Sequence, residues 1–357
     1  MLFRASGSGY LNDLWTWDGT SWTWVSGSDG PSQPGVYGTK GVAAPGNTPG
    51  ARSSAISWVD STGRFFLLGG GSRSGAPSSD AQTFGDVWMW DGAAWTWVGG
   101  ASTSDAPGVY GTKGVPAAAN VPGARSGARA LADVSGGVFL FGGNGASATG
   151  DIGGLNDLWR WNGTEWTWLS GTDGASLVGV YGTQGTASSA NHPGARRGAV
   201  TWQSANGDTF LFGGHGYSAT GLGYLNDLWR WDGSSWTWVS GTNKEDQPAI
   251  AGTKGVAAPE NMPGARGWGV SWTDSVGNLW LFGGQCPDPY DEGLLNDLWK
   301  WDGASWTWMS GNPAEGDLNL PENEVDGRHQ VSLLRLQIRR VMLPDLSFLH
   351  NSPERSV

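Results

Sequence analysis

Residues 225–239 read LNDLWRWDGSSWTWV, which is two tryptophan-containing segments joined by an Asp-Gly turn. Within each segment the tryptophans alternate with Arg or Thr, and this period of two is typical of β-strands rather than helices. Asp232-Gly233 supplies the positive φ angles that a tight hairpin needs. The stretch therefore predicts an antiparallel β-hairpin with a bulky aromatic face.

The same hairpin sequence recurs along the chain. The Leu-Asn-Asp-Leu-Trp pentamer starts at Leu11, Leu155, Leu225 and Leu295, with a degenerate copy at Phe84. A Pro-Gly-Ala-Arg tetrad ends at Arg52, Arg125, Arg196 and Arg266. A glycine pair occurs at Gly69-Gly70, Gly142-Gly143, Gly213-Gly214 and Gly283-Gly284. All three markers return after roughly 70 residues, so they belong to one repeated unit.

Each unit is predicted to contain four strands. In the last copy, the first strand begins after Arg266 and ends at about Thr273. The other three strands span residues 278–282, 297–301 and 305–309. A repeated four-stranded antiparallel sheet is typical of a β-propeller or a linear solenoid. The glycine pair lets neighbouring backbones approach, and the paired tryptophans give apolar faces that one twisted sheet lays on the next. We therefore expect an all-β propeller with four-stranded antiparallel blades.

The aromatic spacing resembles that of the kelch repeat family, whose signature is a glycine pair followed by two aromatics separated by six residues. The matching pairs are Trp15 and Trp22, Trp88 and Trp95, Trp159 and Trp166, Trp229 and Trp236, and Trp299 and Trp306. The resemblance covers roughly residues 2–310 and implies a kelch-type propeller, related in fold to the galactose oxidase propeller. The period is about 20 residues longer than the usual kelch period of about 50.

The repeat also predicts how the chain is organised. Residues 1–311 form the propeller, in units of about 1–24, 49–98, 122–169, 193–239 and 263–309, of which the first is partial and four are full. Residues 312–357 contain no tryptophan and lack the repeat. Two alternatives stay open: this tail completes the first blade of a five-bladed ring, or it is an unrelated, poorly ordered end of an incomplete piece of a larger propeller.

Composition and charge exclude several classes of protein. With 61 Gly, 25 Trp and only 15% charged residues, the chain is neither disordered nor a helical bundle. Its net charge of −11 argues against binding to nucleic acid or to anionic membranes. No apolar run is long enough for a spanning helix or a signal peptide, so we expect a soluble protein of unknown compartment without membrane insertion. The single cysteine, Cys286, excludes an internal disulfide.

Strand parity places the long connections of every unit on one face, and binding is expected there. Examples are residues 144–154 between strands two and three and residues 170–193 between units. The inter-unit loops repeat the motif Gly-Val-Tyr-Gly-Thr-Lys-Gly with variations. Its aromatic and basic members are candidate binding residues for a sugar or a peptide: Tyr37, Tyr110, Tyr181, Lys40, Lys113 and Lys254. The alternative, which the recurrence in every unit favours, is that the motif packs each loop onto the sheet.

Positions that differ between copies are the other binding candidates, because a ligand of a repeat protein binds where the symmetry is broken. They are His215, Tyr217, Asp288, Tyr290, Asp291 and Glu292. The acidic members of the 288–292 segment could hold a cation, but their spacing fits no calcium loop. A solvated acidic loop tip is the preferred interpretation.

An enzymatic function is not expected. The copper site of galactose oxidase needs two His and two Tyr, one of them crosslinked to Cys, and the four histidines here share no short motif: His192, His215, His329 and His350. We therefore predict no metal and no cofactor. The repeated Asp and Arg residues are interpreted as structural, with each carboxylate accepting backbone N–H bonds inside its blade. Pairing of these carboxylates with the repeated arginines stays open.

The leading hypothesis is a non-enzymatic interaction scaffold that binds a protein or glycan ligand through its loop-rich face. Kelch propellers, as a family, bind protein partners in this way, so the resemblance implies the same function. Two alternatives are a galactose-oxidase-like copper oxidase or an inactive relative of it, and a structural cell-surface module.

Overall fold

The structure is a computed structural model, and it describes residues 5–6, 9–60, 62–72, 82–133, 136–204, 206–287 and 293–313. All of these fall within one compact unit, Met1–Gly316. Within these ranges the regular structure is β-strand, and no helix is long and apolar enough to cross a membrane. The predicted contributions of residues 1–3 and of the tail from residue 314 onward lie outside the described residues.

The first two units contain ten strands. In the first unit these are β1 (Ala5–Ser6), β2 (Gly9–Tyr10), β3 (Leu14–Trp17) and β4 (Trp22–Ser26). In the second unit they are β5 (Ile56–Val59), β6 (Phe65–Leu68), β7 (Gly71–Ser72), β8 (Gln82–Thr83), β9 (Val87–Trp90) and β10 (Trp95–Gly99).

The remaining three units contain longer strands. The third unit has β11 (Arg125–Ser126), β12 (Arg129–Ala132), β13 (Val138–Ala146), β14 (Ile152–Trp161) and β15 (Trp166–Ser170). The fourth has β16 (Arg196–Arg197), β17 (Val200–Gln203), β18 (Thr209–Tyr217), β19 (Leu222–Trp231) and β20 (Trp236–Ser240). The fifth has β21 (Val270–Thr273), β22 (Leu279–Cys286), β23 (Gly293–Trp301) and β24 (Trp306–Ser310).

Each of the last four units forms an antiparallel sheet of four main strands in chain order. The fifth unit shows it most simply, with the order β21-β22-β23-β24. In the third and fourth units a short extra strand, β11 or β16, pairs with the far end of strand two. In the first unit, β3 and β4 form the described hairpin. The predicted all-β fold of repeated four-stranded antiparallel blades is confirmed.

In the last three units, strands two and three are longer than the sequence predicts. Strand two was expected to stop before the glycine pair, but β18 continues through Gly213-Gly214 to Tyr217 and pairs with β19 along its whole length. A β-bulge between Phe212 and Gly214 absorbs the glycines, whose φ angles of 61° and 101° few other residues adopt. The predicted dozen-residue loop at 144–154 is therefore wrong, because only residues 147–151 separate β13 from β14.

Successive sheets stack around a common axis, which makes the described part of the chain a β-propeller. The innermost strands β5, β12, β17 and β21 are neighbours in that order. A row of backbone hydrogen bonds joins the blades at these inner strands: Gly127 N–H donates to Ser54, Gly198 N–H to Gly127, and Trp268 N–H to Gly198. Aromatic contacts join the sheets farther out, as between Phe212 and Trp306, whose ring centroids are 5.6 Å apart.

Candidate functional site

Each of the last four units buries one arginine–aspartate pair. Arg196 contacts Asp227 through two hydrogen bonds of 2.6 and 2.7 Å, and it also donates to the carbonyls of Gly194 and Gly213. Both side chains are sealed from solvent. The same arrangement joins Arg52 to Asp86, Arg125 to Asp157, and Arg266 to Asp297. The pairing that the sequence left open is therefore present in every complete unit.

The donors to these carboxylates differ from the prediction. Backbone N–H groups were expected, but Asp227 accepts from the Trp229 indole N–H at 2.7 Å and from the Tyr181 hydroxyl at 2.6 Å, in addition to Arg196. A buried charge needs a full set of partners, and side chains provide it here. Because solvent does not reach the carboxylate, its role is to hold the blade together, as the structural interpretation proposed.

The loop tyrosines lie inside the fold rather than on a free surface. Tyr181 packs against Trp229 with a centroid distance of 4.8 Å and meets Trp238 edge-on at 5.2 Å. Tyr110 and Tyr37 make the equivalent contact, each packing from its inter-unit loop onto the blade that follows that loop. Tyr37 is the most exposed of the three tyrosines. Burial raises the pKa of Tyr110 and Tyr181, and the neighbouring carboxylate adds to this effect. The phenols therefore stay neutral and donate hydrogen bonds.

The lysines of the motif lie over half-buried tryptophan rings on strand four, at the outer edge of each sheet. The Lys113 Nζ is 4.2 Å from the Trp168 ring centroid and donates to the Gly171 carbonyl at 2.8 Å. Lys40 and Lys254 lie over Trp97 and Trp308 at 5.3 and 5.7 Å. Cation–π contacts of this kind bind a loop to a sheet. The geometry favours the packing role of the motif, and ligand binding by these residues stays a prediction.

Substituting Tyr181 with Phe tests the packing role directly. The change leaves the ring in place but removes one donor from a buried carboxylate, so we expect the free energy of unfolding to fall by about 1.5–3 kcal/mol. Urea unfolding followed by tryptophan fluorescence measures it. Gln184→Ala in the same loop, where the side chain is exposed, is the matched control and should change stability by less than about 0.5 kcal/mol. An unchanged stability in Tyr181→Phe would contradict the packing role.

One row of side chains departs from the repeat. Arg197, His215 and Tyr224 are direct register partners on β16, β18 and β19, so their side chains share one side of the sheet. The His215 and Tyr224 rings meet edge-on with centroids 5.1 Å apart. In the third unit the same three positions are Ser126, Asn144 and Gly154. Unlike the third unit, the fourth unit therefore presents a cation, an imidazole and a phenol in this row.

Trp268 of the fifth unit completes this cluster. Its ring lies 6.2 Å from the Tyr224 ring and 5.8 Å from the Arg197 guanidinium carbon, and 38% of the residue is exposed. We call Arg197, His215, Tyr224 and Trp268 the axial patch, because Trp268 lies at the inner strands where the blades meet. Among the described residues, no carboxylate forms an ion pair with Arg197, and its side chain is exposed.

Trp268 also has an unfavourable backbone conformation. Its φ of 56° is in the left-handed region, where the preceding two units have Gly127 and Gly198. A residue with a side chain costs roughly 1–2 kcal/mol more than glycine there. The indole also lies so close to Gly198 that a Cβ on that glycine would be 2.6 Å from the ring. Retained strain of this kind is concentrated at functional sites.

The sequence predicted one member of the axial patch, His215, and missed the other three. The signal was present in the two residues after each Pro-Gly-Ala-Arg tetrad, which read Ser-Ser, Ser-Gly, Arg-Gly and Gly-Trp. Tyr217 lies at the end of β18 and pairs with Leu222, two positions beyond His215. The other predicted residues, Asp288, Tyr290, Asp291 and Glu292, lie outside the described residues.

The candidate copper ligands do not come together in the part of the chain that the structure describes. No group of three or more His, Cys, Asp or Glu side chains within it could share a metal ion. His192 lies in an inter-unit loop, where its Nδ1 is 3.1 Å from the Asn156 amide nitrogen, and burial lowers its pKa. Cys286 is buried on β22 of the last unit. His329 and His350 lie outside the described residues.

The chain is similar to several solved structures at low sequence identity. No family model and no curated protein matches the sequence. The chain is similar to a fungal alcohol oxidase of the AA5 family in complex with copper, at 12% identity and a TM-score of 0.36, over 76% of this chain and 57% of the oxidase. It is also similar to a protein of unknown function from Dyadobacter fermentans, at 11% identity and a TM-score of 0.40, over 80% and 72% of the two chains.

A third solved structure, YjhT, is similar at 14% identity and a TM-score of 0.35, over 84% of this chain and 91% of YjhT. This chain thus spans little more than half of the oxidase. None of these likenesses bears on activity, and membership of the kelch family stays a resemblance.

Proposed function

We propose that this protein is a non-enzymatic binding module and that a carbohydrate binds at the axial patch. The observation that supports this most is the half-exposed Trp268, kept at a left-handed backbone position beside an exposed Arg197. One face of a pyranose ring consists of C–H groups and packs on an indole, and a guanidinium donates to a sugar carboxylate or hydroxyl. Arg197 therefore favours an acidic sugar over a neutral one.

The surroundings of the patch suit a rigid binding site. His215 and Tyr224 lie on paired strands whose own hydrogen bonds fix their positions. The adjoining hairpin tip is tied to the next inter-unit loop, since Ser218 donates to the Glu245 carboxylate at 2.5 Å and Tyr224 N–H donates to Asp246 at 2.8 Å. Sites on such a scaffold need little reordering on binding. The net charge of −11 disfavours a long polyanion, which leaves a short acidic glycan as the preferred ligand.

Trp268→Gly separates binding from stability. The substitution removes the indole and restores the glycine of the preceding unit, so we expect stability to be unchanged or to rise by about 1 kcal/mol. Affinity for the acidic glycan should fall at least tenfold, which corresponds to about 1.4 kcal/mol. A glycan array identifies the ligand, and calorimetry measures its affinity. Trp24→Ser replaces another exposed tryptophan outside the patch and serves as the control.

Other outcomes would assign a different function. Capture of a protein that Trp268→Gly no longer binds would assign a protein ligand to the same patch. Peroxide release from a primary alcohol in the presence of copper, lost in Cys286→Ala, would overturn the non-enzymatic proposal in favour of an oxidase. Equal glycan binding by the wild type and Trp268→Gly would show that the glycan does not bind at the axial patch.

A further inference from the structure

Asparagine is followed by glycine at three places in the chain, Asn144-Gly145, Asn162-Gly163 and Asn206-Gly207. The side-chain amide of asparagine can react with the backbone nitrogen of the next residue. Glycine obstructs this attack least, because it has no Cβ. The dipeptide is the same at all three sites, so the surrounding fold decides which of them reacts.

At Asn162 the fold leaves the reacting groups accessible. Asn162 and Gly163 lie in the exposed turn between β14 and β15. A Cβ on Gly163 would meet nothing within 4 Å, so the space around the attacking nitrogen is open. Among the described residues, none accepts a hydrogen bond from the Gly163 N–H or from the side-chain nitrogen of Asn162. Both the attacking and the departing nitrogen are therefore free to react.

The turn also activates the amide carbon. The Oδ1 of Asn162 accepts hydrogen bonds from the Thr164 N–H at 2.9 Å, the Thr164 hydroxyl at 3.0 Å and the Glu165 N–H at 2.8 Å. When the Gly163 nitrogen attacks Cγ, this oxygen takes up the negative charge of the tetrahedral intermediate. Donors that already point at such an oxygen lower the barrier, as they do in an oxyanion hole.

The other two sites hold the same dipeptide in less reactive surroundings. Asn144 and Gly145 lie inside β13, where they pair with β11 on one side and β14 on the other. Asn206 is exposed, but the Gly207 N–H donates to the Ser204 carbonyl at 3.0 Å. Attack at Asn206 therefore requires that hydrogen bond to break first, and attack at Asn144 requires the strands to separate.

We propose that Asn162 deamidates spontaneously in the folded protein. The Gly163 nitrogen gives its proton to hydroxide and bonds to Cγ of Asn162, the Cγ–Nδ2 bond breaks, and Nδ2 takes a proton from water and leaves as ammonia. Water then opens the resulting succinimide ring, at Cγ to give aspartate or at the main-chain carbonyl to give isoaspartate. Asparagine and water are thus converted to the acid and ammonia, and nothing is oxidised or reduced.

Aspartate fits this turn. The other four units have aspartate at the same position: Asp18, Asp91, Asp232 and Asp302. The Oδ1 of Asp232 accepts from the Ser234 and Ser235 N–H groups at 2.8 Å each, which are the same bonds that Asn162 accepts. Deamidation to aspartate therefore keeps the turn and makes the net charge one unit more negative than −11. Isoaspartate instead lengthens the main chain between the register partners Trp161 and Trp166.

The test compares the three sites within one molecule. The full chain is aged at mildly alkaline pH, and peptide mass spectrometry measures conversion at each asparagine. In the folded protein we expect Asn162 to convert at least about tenfold faster than Asn144 and Asn206, which is about 1.4 kcal/mol in activation free energy. In guanidinium, where the chain is unfolded, all three should convert at similar rates.

Two results of this comparison would overturn the proposal. Equal rates at Asn162 and Asn206 in the folded protein would show that the turn gives no advantage. A preference for Asn162 that persists in the unfolded chain would assign the reactivity to the neighbouring sequence instead of the fold.

Thr164→Ala tests the donors to Oδ1. Alanine fits this position, because Ala93 and Ala304 occupy it in the second and fifth units. The substitution removes one donor, so conversion at Asn162 should slow by about two- to tenfold, the rate equivalent of one hydrogen bond. Conversion at Asn206 should not change and serves as the control. An unchanged rate at Asn162 would contradict activation by the turn.

Asn162→Asp supplies the product directly. Since four other units carry aspartate in this turn, the variant should have the same urea unfolding midpoint as the wild type. It should also elute with the more acidic form that accumulates as the wild type ages. A lower midpoint would show that the turn does not accept the product, against the proposal.

Discussion

Replacing Asp86 with Asn is expected to lower the free energy of unfolding by about 3–5 kcal/mol, the usual cost of breaking a buried ion pair from one side. The carboxylate accepts two hydrogen bonds from Arg52, at 2.6 and 2.8 Å, and one each from Trp88 and Tyr37. Asn removes the charge and leaves the Arg52 guanidinium buried without a counterion. Because that guanidinium also donates to the Gly69 carbonyl, the loss extends to the glycine pair of the same blade.

An exposed pair in the same blade gives the matched control. Arg64 contacts Asp60 at 2.7 Å, but the arginine side chain is 45% exposed. Surface pairs of this kind contribute less than about 1 kcal/mol, so Arg64→Ala should be close to neutral. Urea unfolding of both variants at the same protein concentration measures the difference. Similar losses in the two variants would contradict the structural role assigned to the buried pair.

The pH dependence of stability should separate Asp86→Asn from the wild type. Burial opposes ionisation of Asp86, but the Arg52 charge and the hydrogen bonds from Arg52, Trp88 and Tyr37 outweigh it and hold the pKa of this carboxyl below its ordinary value of 3.8. A depressed folded pKa stabilises the protein above about pH 4, and this contribution is lost as the pH falls toward the folded pKa. Between roughly pH 5 and 2 the wild type should therefore lose more stability than Asp86→Asn.

The repeat made most of the fold predictable. Period-two tryptophans, Asp-Gly turns and the regular return of three markers define four strands per unit, and the structure has them. The end of strand two was predicted too early, because glycine has low β-propensity and the pair Gly213-Gly214 therefore indicates the end of a strand. In the fold these glycines form a bulge, which lets β18 continue to Tyr217. A bulge depends on the partner strand, and local sequence does not specify that partner.

The candidate site was less predictable, because its members come from distant parts of the chain. Tyr181 donates to Asp227, 46 residues away, and no local pattern shows which donors satisfy that carboxylate. Arg197 and Trp268 belong to different units and meet only when the blades stack. Sequence comparison between copies identifies the unusual positions, but the contact between them requires the structure. His215 was predictable because it belongs to a segment whose sequence differs from copy to copy.

Replacing Gly213 with Ala is expected to destabilise the protein by about 2–5 kcal/mol, since two costs add. A side chain at a φ of 61° costs roughly 1–2 kcal/mol. A Cβ at this position would also lie 2.5 Å from the Arg266 carbonyl oxygen of the next blade and 2.8 Å from that of Leu225. Both neighbours are backbone atoms, so these close contacts can be relieved only if the backbones move apart. Overpacking of this kind costs about 1–3 kcal/mol more.

Gly185 isolates the first of these costs. Its φ of 79° is also left-handed, but a Cβ there would meet nothing within 4 Å. Gly185→Ala should therefore show the conformational cost alone, about 1–2 kcal/mol. The difference between the two variants in urea unfolding measures the close approach of neighbouring blades at the glycine pair. If both variants lose the same stability, blade stacking does not depend on that approach, and the glycine pair serves only the bulge within its own sheet.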